Sequence, residues 1–79
     1  MERKDIIYRD CVLYPVPFPR KDEKWSADVC IMKELDGNIN AAVFHSATLW
    51  GSKEEADKHS IAFGKRIVNG EVEGSKVPW

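Results

Sequence analysis

The chain has 79 residues, 43% of them hydrophobic, with 12 Lys+Arg against 13 Asp+Glu. A chain this short forms one domain with a thin core, because it buries only about 60% of its unfolded surface. Its near-balanced charge argues against a protein built as a whole for phosphate or anionic lipid, and no run approaches the roughly 20 apolar residues of a membrane span.

The opening residues Met1-Glu2-Arg3-Lys4-Asp5 are polar and expected to fray. They contain no apolar core of a secretory signal, so a cytoplasmic protein with reduced thiols is expected. The domain is read as residues 1–79, with a core over 6–70 and mobile ends at 1–5 and 71–79.

From Ile6 the pattern is that of a strand. Ile6, Tyr8, Val12, Tyr14 and Val16 share one parity, and Ile7, Cys11 and Leu13 share the other. Pro15, Pro17 and Pro19 cannot donate to a ladder and place at least the last part of this strand at a sheet edge. Arg20 to Lys24 is a charged connection.

Trp25 to Lys33 alternates with period two. Trp25, Ala27, Val29 and Ile31 fall on one face; Ser26, Asp28, Cys30 and Met32 fall on the other. Asp36-Gly37 then predicts a hairpin, whose return strand covers about Asn38 to Ser46.

Ser52-Lys53-Glu54-Glu55 has the form of a capping box with Ser52 as N-cap. The helix is expected from Lys53 to about Val68, stopped by Asn69-Gly70. Ala56, Ser60, Phe63 and Ile67 make one stripe that must face the sheet. Ile61 and Val68 lie off that stripe, to be covered by Val72, Val77, Trp79 or another chain. The fold expected is α+β, a three-stranded antiparallel sheet with one C-terminal helix on one face (βββα).

Tyr8, the proline-rich extended segment, Trp25, Phe44, Ser-x-x-Glu-Ala and Phe63-Gly64-Lys65-Arg66-Ile67-Val68-Asn69-Gly70 together resemble a set of small bacterial domains ending in an F-G-[KR]-x-I-[IV]-[DN]-G stretch. Those motifs are core aromatics, a helix start and a helix stop, so the resemblance implies a fold and no activity. In layout alone the chain is similar to ethylene-response DNA-binding domains and to integrase arm-binding domains, which read DNA with Arg, Lys and Trp on the exposed sheet face.

That comparison supplies a test. The middle of the corresponding face here reads Ser26, Asp28, Cys30, Met32, with no cation, and phosphate contacts dominate nucleic-acid affinity. Nucleic-acid binding by a small regulator is therefore the second reading.

Enzymatic chemistry has less to stand on. His45 and His59 could pair with Cys11 or Cys30 as base and nucleophile, but no nucleophile elbow or phosphate loop accompanies them. No C-x-x-C or Cys/His cluster suggests zinc. Cys11 and Cys30 are expected as free thiols. No catalytic residue, cofactor or metal is assigned.

The first reading is a non-enzymatic binding or assembly module, with a homodimer or an unidentified protein as partner. Its candidate interface is an apolar patch of Ile7, Cys11, Leu13, Cys30 and Met32, joined by Val43, on the bare sheet face, with Ile61 and Val68 as a second ridge.

Overall fold

The structure, a computed structural model, describes residues 5–79. The expected frayed start over residues 1–5 therefore lies, apart from Asp5, outside the described residues. The fold is α+β, with antiparallel strands in two sheets and one helix.

The first strand-like segment is two strands, β1 (Ile6–Tyr8) and β2 (Cys11–Pro15). Arg9 and Asp10 turn the chain between them with φ of 49° and 65°, the left-handed conformation of a type I′ hairpin. Tyr8 pairs with Cys11, Ile7 with Val12 and Ile6 with Leu13. Paired residues share a face, so the turn resets the parity that a single strand would keep. Cys11 and Leu13 thus point into the core, 3% and 0% exposed, while Ile7, Val12 and Tyr14 point away from it. The expected placement of Cys11 and Leu13 on the bare face is corrected accordingly.

β2 lies inside its sheet, which runs β1-β2-β5-β6, with β5 over Val29–Leu35 and β6 over Asn38–Phe44. The proline argument holds only at its end. Among the described residues, β1 pairs no further than Leu13. The amide of Val16 donates to the Asp28 carbonyl at 3.0 Å. By the alternation of antiparallel ladders, the missing N–H of Pro15 faces away from β5, beyond the last described β1–β2 pair.

The expected strand from Trp25 is broken at Ala27-Asp28 into β4 (Trp25–Ser26) and β5 (Val29–Leu35). β5 and β6 (Asn38–Phe44) form the predicted hairpin, with Leu35 paired to Asn38 and Asp36 and Gly37 at φ 51° and 82°. β4 joins a separate sheet with β3 (Phe18–Pro19) and β7 (Leu49–Trp50), in the order β3-β4-β7. A four-stranded and a three-stranded sheet thus replace the single three-stranded sheet expected.

The helix, α1, runs Lys53–Val68 as the sequence predicts. Ser52 Oγ accepts the Glu55 amide at 3.2 Å. At the other end Gly70, at φ 75°, donates to Ile67 O, and Glu71 N donates to Arg66 O at 2.9 Å. Those two bonds define a Schellman stop. Ala56, Ser60, Gly64 and Ile67 are buried, and Phe63 is half-buried beside them. Ser60 is accommodated because its hydroxyl donates to Ala56 O at 2.7 Å.

Leu13, Val29 and Ile31 of the sheet meet Ile67 in the core. Ile61 and Val68 pack at its margin, together with Val72, Val77 and Trp79. Tyr8 ties β1 to the helix end, its hydroxyl donating to Asn69 Oδ1 at 3.0 Å. The molecule measures 43 × 33 × 16 Å. Its shortest dimension is the depth of one sheet and one helix, and among the described residues no third layer covers the far side of the four-stranded sheet.

Candidate functional site

That far side is the first candidate. Register places Ile7, Val12, Met32 and Ala41 in one row across all four strands. Tyr14, Cys30 and Val43 form the next row on one side, and Glu34 and Ile39 the next on the other. The face is apolar and open: Ile7 is 80% exposed, Ile39 69% and Val43 53%. A groove of about 400 Å³ crosses it among Ile7, Asp10, Val12, Met32, Glu34 and Ile39. Burial disfavours the charged form of Cys30, pushing its thiol pKa above the ordinary value. Cys11 is on the opposite face and is likewise a free thiol.

Of the expected patch residues, the structure brings Ile7, Cys30, Met32 and Val43 together here. It removes Cys11 and Leu13 to the core and leaves Ile61 and Val68 on the helix side. The residues missed were Val12, Tyr14, Ala41 and Ile39. The last two were accessible from the Asp36-Gly37 turn, because pairing Leu35 with Asn38 forces Met32 opposite Ala41 and Glu34 opposite Ile39.

The second feature closes one end of this face. Asp28 is buried where β4 gives way to β5. Its Oδ2 lies 2.7 Å from His45 Nδ1, its Oδ1 accepts the Ser46 amide at 3.1 Å, and Arg20 Nη2 stands 3.7 Å away. Arg20 Nε also donates to Ser26 Oγ at 3.2 Å and lies over the Phe18 ring. A buried carboxylate holding an imidazole is also how a catalytic histidine is oriented. Among the described residues, no hydroxyl or thiol hydrogen-bonds the His45 ring. The couple pins the loop after β6 onto the break in the β4–β5 segment.

The third feature lies on the helix side. Trp50, paired with Trp25, stacks flat on His59 with ring centroids 3.5 Å apart and planes 4° from parallel. A cleft of about 140 Å³ opens beside them, lined by Ala27, Ser46, Thr48, Trp50, His59, Phe63 and Arg66 among others. Neither histidine approaches a cysteine through a hydrogen bond, so the His–Cys pairing considered from the sequence is not assembled among the described residues. Nor do the described residues gather three His, Cys, Asp or Glu side chains around a common metal position. No described helix is long and apolar enough to cross a membrane.

Set against family models, known proteins and solved structures, the chain matches none. What fold and site define is a class by geometry: a small α+β domain whose larger sheet is packed by a helix on one face and bare on the other.

Proposed function

We propose that the protein is a non-enzymatic assembly module whose bare sheet face docks against the same face of a second copy. The observation that carries this reading is the row Ile7, Val12, Met32, Ala41, flanked by Tyr14, Cys30, Val43 and Ile39. Contiguous exposed apolar surface of this kind marks interaction sites.

Charge favours a second copy over an unrelated partner. The groove at one end of the face is lined by Asp5, Asp10 and Glu34 with Lys33; Arg20, at the other end, stands 3.7 Å from the buried Asp28 carboxylate, with Lys21 beside it in the neighbouring groove. The ends are about 20 Å apart along β5 at roughly 3.3 Å per residue. A two-fold axis lying across the strands sets each acidic end over the partner's basic end, and two-fold dimers bury the same patch on both subunits. Stacked sheets pack about 10 Å apart, giving the thin monomer a second core. A specific contact needs about 800 Å² per partner.

Analytical ultracentrifugation of the full chain tests this. The parent sediments as a dimer at micromolar concentration, and Met32→Lys sediments as a monomer with an unchanged circular dichroism spectrum. A parent that stays monomeric at high micromolar concentration overturns the reading. Salt-sensitive retention on a DNA column by such a monomer supports the nucleic-acid alternative.

A further inference from the structure

We infer that β6 is a second self-association site, at which the same strand of another copy adds antiparallel across a two-fold axis through Ala41. Among the described residues no strand pairs β6 on its side away from β5. The register fixes which groups that side offers. Val16 N donates to Asp28 O. Alternation from that pair turns the N–H and C=O of Cys30 and Met32 toward β2, and those of Ile31, Lys33 and Leu35 toward β6. Their partners Ala42, Asn40 and Asn38 therefore bond β5, while Ile39, Ala41 and Val43 point their backbone groups outward.

Those three residues are self-complementary about Ala41. A two-fold axis there sets Ala41 against Ala41 of the second copy and each Ile39 against the other copy's Val43. Every outward N–H then meets a C=O, in about six hydrogen bonds. The side chains of Ile39, Ala41 and Val43 all stand exposed on the bare face. Pairing lays each β-branched Ile39 beside a β-branched Val43, and the small Ala41 leaves room at the axis. On the helix side Asn38 falls opposite Phe44 and Asn40 opposite Ala42, so no like charges meet. An edge about 23 Å long on a molecule 16 Å thick offers less than about 800 Å² per partner, the area of a standard contact. The pair is therefore weak and is populated at high micromolar concentration. It leaves the bare face open, so it does not depend on docking there.

Disulfide trapping in the full chain tests the register. A Cys30→Ala chain keeps only the buried Cys11, and Ile39→Cys, Ala41→Cys or Val43→Cys is added to it singly. Each is oxidised with copper phenanthroline at high micromolar concentration and followed on non-reducing gels. Across the axis the two Cα atoms of residue 41 stand about 5.5 Å apart, within disulfide range. The two copies of residue 39, or of residue 43, are four residues apart, about 13 Å, beyond that range. Ala41→Cys should therefore cross-link at least ten-fold faster than Ile39→Cys or Val43→Cys alone, and an equal mixture of the last two should form the mixed dimer. Face docking cannot imitate this pattern, because stacked sheets hold opposed residues about 10 Å apart, so the two contacts stand or fall separately. Equal rates at all three positions, a fastest rate at 39 or 43 alone, or no linking of Ala41→Cys above the Cys30→Ala background overturns the inference.

Discussion

Gly64 and Val29 set how closely the helix lies on the sheet: a Cβ added to Gly64 would stand 3.0 Å from Val29 Cγ2 and 3.4 Å from both Leu13 methyl carbons. Alanine at this position gains about 1 kcal/mol of helix propensity but overpacks a site where extra atoms cost about 1–3 kcal/mol. Gly64→Ala should therefore lose about 1 kcal/mol by urea denaturation, and Gly64→Val about 3 kcal/mol. A Gly64→Val chain as stable as its parent would show that the helix can lift without penalty.

Ile67 and Phe63 should differ in the opposite order to their size. Ile67 is 1% exposed in the core, whereas Phe63 is half-buried at the wall of the Trp50 cleft. Ile67→Ala should cost about 2–5 kcal/mol, enough to unfold much of a small domain. Phe63→Ala should cost less than Ile67→Ala, a ranking that thermal melts of the two variants decide.

Asp28 and His45 should be unequal partners. Asp28→Asn removes the charge that serves His45, Arg20 and the Ser46 amide from a buried position. It should cost about 1.5–3 kcal/mol, the range for hydrogen bonds to charged groups. The His45 side chain is 70% exposed, so His45→Ala should cost under about 1 kcal/mol. Equal losses in the two melts would mean that the imidazole, and not the backbone amide of Ser46, is what the carboxylate secures.

Cys30 should label slowly. The thiolate is the reactive species, and burial raises the thiol pKa above its ordinary value. Less thiolate is then present at neutral pH than on a free cysteine, and the rate should climb as pH rises past the ordinary value. Ellman's reagent on a Cys11→Ala chain reads this directly. If the bare faces dock, the same rate should fall as protein concentration increases; a rate independent of concentration counts against the dimer.

The helix was legible to the residue because both of its ends carry side-chain and glycine chemistry, at Ser52 and at Gly70. The β5–β6 register was legible for a similar reason, since Asp36-Gly37 leaves one way to pair. Arg9-Asp10 offered no such sign: neither is glycine or asparagine, yet both adopt positive φ. That concealed turn put Val12 and Tyr14 on the wrong face and Cys11 and Leu13 outside the core. Two-strand division at Ala27-Asp28 was hidden too, because the alternation continues through a break held by Asp28 contacts with Arg20, His45 and Ser46, remote in sequence. Cys30 and Met32 were placed on the outer face because their strand kept its phase.

β6 is the last strand of the larger sheet and is seven residues long. From Asn38 to Phe44 it contains no charge and no proline, the devices that natural edges use against strand addition. Among the described residues no strand pairs with its outward row of backbone N–H and C=O groups, which is a template for another chain's strand. The opposite edge, β1, is three residues long and offers little purchase. Growth by strand addition would therefore stop at a pair joined through β6, unlike the fibres that a sheet with two long bare edges would seed.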